Sequence, residues 1–150
     1  MRREISVLFG LLLLFGFTPE APGQEAGGAA GTSGQQEDVF RLDQNYPNPF
    51  NPETRIPFEI RAGAFVEDRP AVVTLRVYNV LLQHVATPTA LGHSMGEGVP
   101  VQDLEYRFPG RYEAYWDGKD RSGAEVASGV YVLQLVVNGR QAIRKMFVTK

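Results

Sequence analysis

The stretch from Trp116 to Leu135, WDGKDRSGAEVASGVYVLQL, constrains this chain more than any other, because it packs three turn signals between two strand patterns. Ahead of it Tyr112, Ala114 and Trp116 alternate with Glu113 and Tyr115, the period-2 pattern of a half-buried strand. Asp117-Gly118 is a turn dipeptide: the carboxylate can accept from the backbone ahead, and glycine accepts positive φ at no steric cost. Ser122-Gly123 and Ser128-Gly129 are further breaks. Val130 to Val137 is then apolar on both pleat faces except at Gln134, which predicts a strand interior to a sheet. Trp116 and Tyr131 are expected as two anchors of one core.

Alternation elsewhere extends this into an all-β fold. Thr54 to Ile60 turns Ile56, Phe58 and Ile60 inward, with Pro57 marking an edge strand or a non-bonded position. Ala71 to Val80 places Val73, Leu75 and Val77 on its inner face, Asn79 to Leu82 turns, and Gln83 to Thr87 returns as a short strand. Thr89 to Pro100 is Gly-rich and reads as weakly structured. Val101 to Phe108 is expected as a strand with Leu104, Tyr106 and Phe108 on one face. Asn138-Gly139 is the strongest hairpin signal, answered by a last strand over 141–149 with Met146 and Val148 inward. No window carries a helical period over three turns. Seven to eight short strands predict an Ig-like antiparallel β-sandwich over residues 39–150.

Two further segments precede that domain. Met1-Arg2-Arg3 followed by the apolar run Ile5 to Phe17 fits a signal peptide, too short for a comfortable membrane span. Ala21-Pro22-Gly23 places cleavage after residue 23, the competing reading being an uncleaved anchor. Residues 24–38 have no apolar period and read as a flexible linker.

Composition excludes several kinds of chemistry. With no cysteine, thiol catalysis, disulfides and cysteine zinc sites are out. A net charge of −2 and no basic stripe argue against a nucleic-acid partner. Positions 1, 3 and 5 of a calcium loop starting at Asp117 would hold Asp117, Lys119 and Arg121, and the two cations would repel the ion, so a hydrogen-bonded turn is expected. His84 and His93 have no nucleophile patterned around them, and Ser94 sits on no nucleophile elbow. Alternation puts Tyr112 and Trp116 in the core and leaves Tyr115 alone outside, which argues against an aromatic sugar platform. No enzyme activity, cofactor, metal or small-molecule substrate is expected.

Tyr46-Pro47-Asn48-Pro49-Phe50-Asn51-Pro52 is rigid and extended, since each Pro fixes its own φ and restricts its predecessor. Tyr46 and Phe50 are expected to pin it into the end of the sandwich; a PxxP-type ligand is the other reading.

Followed by Thr54-x-Ile56-x-Phe58-x-Ile60, this segment resembles the start of the C-terminal sorting domains of the type IX secretion system. Val77-Tyr78-Asn79-Val80 with Gln83-His84-Val85, then Trp116-Asp117-Gly118, Asp120, Gly123, Ala127-Ser128-Gly129-Val130-Tyr131 and Arg144-Lys145-Met146-x-Val148, continue the likeness in order. The Ig-like domain of flagellar hook-cap proteins shares the pattern. Leu81-Leu82 stands where the family has a small turn residue. The resemblance implies a sorting and surface-attachment domain delivered through the periplasm to the surface or medium, a monomer whose partner is the outer-membrane secretion machinery and which meets the membrane only through export or attachment. Tyr46, Pro47, Asn48, Pro49, Phe50, Lys145 and Lys150 are the candidate recognition residues, and Trp116, Asp117, Gly118, Gly129 and Tyr131 the structural ones. Ahead of Val39 only leader and linker are seen, so a stand-alone or truncated module without cargo is expected. The alternatives are a secreted adhesive or carbohydrate-binding Ig-like module and a small assembly protein.

Overall fold

The computed structural model describes residues 39–150; the expected signal peptide and linker lie outside them. Nine strands form: β1 (Phe40–Leu42), β2 (Thr54–Ile60), β3 (Ala71–Tyr78), β4 (His84–Ala86), β5 (Thr89–Leu91), β6 (Leu104–Tyr106), β7 (Gly110–Trp116), β8 (Gly129–Val137) and β9 (Arg140–Val148). All pairings between them are antiparallel. One sheet runs β1-β2-β7-β5; the other runs β4-β3-β8-β9, with β6 beside β3. This is the Ig-like β-sandwich, with nine strands rather than seven or eight.

Alternation builds the core between the sheets. Ile56, Phe58, Ile60, Ala114 and Trp116 from one sheet face Val73, Leu75, Val77, Leu133, Leu135 and Met146 from the other, all buried. β8 is interior, paired with β3 on one side and β9 on the other. Asn138 and Gly139 both take positive φ, the backbone that a two-residue hairpin twisted like its strands requires.

One alternative is decided and three expectations need correction. Of an edge strand and a non-bonded position for Pro57, the second holds: β2 lies between β1 and β7, and the proline's polar backbone faces the spot where β1 has just ended. There the Asp43 N–H donates to the Pro57 carbonyl at 3.1 Å, and no ladder donor is missing toward β7. The segment 89–100 holds a strand, β5, which pairs with β7 and carries the chain from one sheet to the other; only Ala90 of its three residues points inward, too little for a period to show. β6 stops at Tyr106, so Phe108 does not share its face and is 73% exposed. Tyr112 takes that space, half-buried beside Phe58 and Tyr106 with its hydroxyl donating to the Phe108 carbonyl at 2.6 Å.

Register fixes two poles. At one, the chain enters at Val39, whose carbonyl accepts from Arg61, and Asn138 of the β8–β9 turn donates to Ala64. At the other lie Thr54 opposite Trp116, and Gly129 opposite Val148. Seven residues of β2 separate them by roughly 20 Å.

Candidate functional site

The residues singled out by the sequence converge at the pole away from Val39. Trp116, 3% exposed, stacks edge-on against Phe50 at 5.3 Å and Tyr131 at 5.8 Å. Its indole N–H donates to the Lys119 carbonyl at 2.8 Å, and the Tyr131 hydroxyl to Ala127 at 2.9 Å. Three separate segments therefore meet in one aromatic cluster, each polar tip satisfied.

Gly118 locks the turn to the proline segment. At φ +72° a side chain is disfavoured, and a Cβ there would lie 2.2 Å from the Pro52 carbonyl oxygen. The carboxylates of the turn are spent internally. Asp117 accepts from Lys119 N–H at 3.1 Å; Asp120 accepts from the backbone of Ser122 and Ala124 and from the Ser122 hydroxyl. Those bonds, the hydroxyl first, hold the Asp120 carboxyl below its ordinary range.

The proline segment is docked along the outer edge of β9. Phe50 forms a parallel bridge with Val148: its N–H donates to the Phe147 carbonyl, and its carbonyl accepts from Thr149, both at 3.0 Å. Asn48 Oδ1 accepts from the Phe147 N–H at 2.9 Å, and Gln44 Nε2 donates to the Lys145 carbonyl at 3.0 Å. Residues 44–50 thus cover the last third of an edge strand, which satisfies backbone groups that would otherwise template other chains. Asn48 and Phe50 thus form one ledge with the backbone of residues 145–149, whereas the Tyr46 side chain and Lys150 are engaged elsewhere.

Their exposure differs. Phe50 is the buried pin; Pro47 and Pro49 are exposed, Asn48 half-buried. Tyr46 is not a pin: it is 47% exposed on the outer face of the first sheet, where its hydroxyl donates to Glu113, itself paired with Arg55 at 3.2 Å. A phenol with a carboxylate at hand keeps its polar end in that network, and the bond to Glu113 raises the Tyr46 pKa. Tyr115 is likewise half-buried rather than alone outside; its hydroxyl donates to Glu53 at 2.5 Å, which pushes its pKa up to about 12. Lys145 is exposed; Lys150 pairs with Glu125 at 3.0 Å, and its N–H donates to Ser128. Gly129 is exposed at the start of β8.

Sequence reasoning missed two contributors. Asn45 and Thr54 are buried polar residues joined to each other at 3.0 Å, and both donate to the Pro47 carbonyl. They fix the start of the proline segment, and only their polarity hinted at it. His84 and His93 are far apart in use: His84 packs on Tyr78 beside Thr87, while His93 packs on Tyr106 and bonds Glu105 and Met95.

No protein-family model matches the chain, and no curated protein matches it. Two solved structures are similar to it. Dimeric latent PorU from Porphyromonas gingivalis is 20% identical over 73% of this chain and 9% of its own, with a TM-score of 0.48. PorZ, an essential bacterial surface component of the type-IX secretion system of Porphyromonas gingivalis, is 16% identical over 81% of this chain and 13% of its own, with a TM-score of 0.43. The chain spans about a tenth of the length of each.

Proposed function

We propose that residues 39–150 are a non-enzymatic sorting and surface-attachment domain for export through the type IX secretion system, acting at the bacterial surface after passage through the periplasm. The observation that carries this reading is the ledge: the proline segment and residues 145–150, separate in sequence, are stitched together at the pole opposite Val39. That arrangement suits a signal. Val39 lies at the far pole, so a translocon that grips the ledge would work at the opposite end of the domain from the point of attachment. Pro47, Pro49 and Lys145 supply its accessible surface, with Lys150 at its end paired to Glu125, and Phe50, Trp116, Gly118 and Tyr131 its rigidity.

The test is a reporter inserted in the 24–38 linker of the full chain, expressed in a host with the type IX machinery. Surface delivery of the reporter is expected. Lys145→Ala with Lys150→Ala touches exposed side chains, so stability changes by about 0.5 kcal/mol or less, and the folded double variant accumulates in the periplasm. Delivery of both versions would move recognition to the rigid Tyr46–Pro52 segment. Retention of the wild-type chain would sink the sorting reading in favour of an adhesive module.

A further inference from the structure

Of the five asparagines in the chain, only Asn138 is followed by glycine. That pair is chemically distinct, because a glycine nitrogen with no side chain beside it can reach the carboxamide carbon of the residue before. In the fold the same carboxamide is a latch. Its Nδ2 donates to the Ala64 carbonyl at 2.7 Å, and its Oδ1 accepts from the Val72 N–H at 2.9 Å. The Asn138 N–H donates back to the Val72 carbonyl at 3.0 Å, which carries the β3–β8 pairing one step beyond Val73 and Val137. The β8–β9 turn, β3 and the segment around Ala64 are joined through this one residue.

The latch reaches the point where the chain enters. Ala64 ends a 3-10 turn, Ala62–Ala64, and is buried. Its N–H donates to the Arg61 carbonyl, and the Arg61 N–H to the Val39 carbonyl, both at 2.9 Å. The carbonyl of a buried residue needs its donor, so loss of the Asn138 Nδ2 is felt along this line as far as Val39. Gly139 stands on the open side of the turn, exposed, with nothing within 4 Å of where a Cβ would lie. Water therefore reaches the peptide nitrogen that follows Asn138.

We propose that Asn138-Gly139 is a self-modification site, held back by the fold, whose reaction releases the latch on Val39. The Gly139 nitrogen attacks Cγ of Asn138: the N–Cγ bond forms, the Cγ–Nδ2 bond breaks, and ammonia leaves with the proton that Gly139 gives up. Water then opens the cyclic imide at either carbonyl, leaving aspartate or isoaspartate, and nothing is oxidised or reduced. The fold slows the first step. Both polar atoms of the amide are hydrogen-bonded, and the backbone that must turn for the ring to close is fixed by positive φ at Asn138 and Gly139 and by the pairing of Val137 with Arg140. The product does not restore the latch. A carboxylate has no hydrogen to give, so it meets the Ala64 carbonyl acceptor to acceptor. Isoaspartate also adds a methylene to a turn whose twist depends on its residue count. The inference concerns the attachment pole and is independent of the export route.

The experiment incubates the full chain at mildly alkaline pH, folded in buffer and unfolded in urea. Peptide mapping that separates asparagine, aspartate and isoaspartate follows residues 138–139. Conversion should proceed in urea, with isoaspartate among the products, and run slower by about tenfold or more in the folded chain, because only the opened turn reacts. The second arm is Asn138→Asp, which keeps a residue pair suited to the turn and removes only the amide. A urea midpoint confirms that the variant is folded. Hydrogen exchange at the Arg61 and Ala64 N–H groups should quicken by about tenfold or more, while Leu133 and Leu135 in β8 keep their protection. The wild-type chain aged to partial conversion gives the same exchange comparison without a substitution. Absence of conversion in urea would remove the modification site. Equal rates with and without urea would mean that the fold does not hold the reaction back. Unchanged exchange at Arg61 and Ala64, in the folded Asp variant and in the aged chain, would overturn the latch.

Discussion

Replacing Gly118 with alanine tests whether the turn after Trp116 and the proline segment are one packed unit. Two penalties add there. A left-handed φ of +72° costs an L-residue about 1–2 kcal/mol. The new Cβ also arrives 2.2 Å from the Pro52 carbonyl oxygen and 3.7 Å from the Phe50 ring, so backbone must move, not a flexible side-chain tip. Overpacking of that kind costs about 1–3 kcal/mol, and alanine returns about 0.4–1 kcal/mol by restricting the unfolded chain. The net expected loss is about 1–5 kcal/mol, of which about 1–3 kcal/mol comes from the contact with Pro52. Gly123→Ala is the matched control, because φ is +86° there but nothing lies within 4 Å of the added atom. It should lose only about 1 kcal/mol or less. Urea denaturation followed by Trp116 fluorescence measures both, since that indole lies in the cluster being disturbed. Equal losses within about 0.5 kcal/mol would refute the reasoning, because the contact with Pro52 would then carry no weight.

Trp116→Ala should cost about 3–5 kcal/mol in calorimetry or denaturant titration, as a buried indole packed on Phe50 and Tyr131 is lost; a loss under about 1 kcal/mol would place that ring outside the core. Leu82→Gly should leave stability unchanged or raise it by up to about 1 kcal/mol, since relief of the left-handed backbone outweighs the entropy glycine adds to the unfolded chain; a clear loss would mean Leu82 packs on something in the folded state. Tyrosinate absorbance should show Tyr106, raised by burial, and Tyr115, held by Glu53 at about 12, staying protonated past the usual value near 10. Because the fold favours the neutral phenol, that contribution is complete below pH 10 and fades as pH rises toward 12. Tyr106 and Tyr115 both titrating near 10 would contradict the burial of the one and the Glu53 bond of the other.

Much of this was legible in the sequence where side chains alternate. Ile56, Phe58 and Ile60, then Val73, Leu75 and Val77, then Met146 and Val148 are all buried as their period requires. Asn138-Gly139 specified its hairpin because only that backbone closes two twisted strands with two residues. The readings left open or needing correction depend on neighbours remote in the chain. Pro57 fits an edge or a non-bonded position until β1 is seen to end beside it, and β5 has three residues, too few to show a period. Phe108 keeps the right parity but lies past the end of its strand, where Tyr112 fills the space. At the candidate site the aromatic anchors were legible because a Trp and a Tyr each follow a clear alternation. The docking of Asn48 and Phe50 on β9 was not, since a bridge between residues about a hundred positions apart leaves no local pattern.

The central claim is that this domain addresses its chain to the type IX route. The most direct measurement compares the location of the linker-inserted reporter in two otherwise identical hosts, one with and one without a working type IX translocon. The account predicts reporter at the surface of the first and folded, undegraded reporter in the periplasm of the second. The same distribution in both hosts would contradict it.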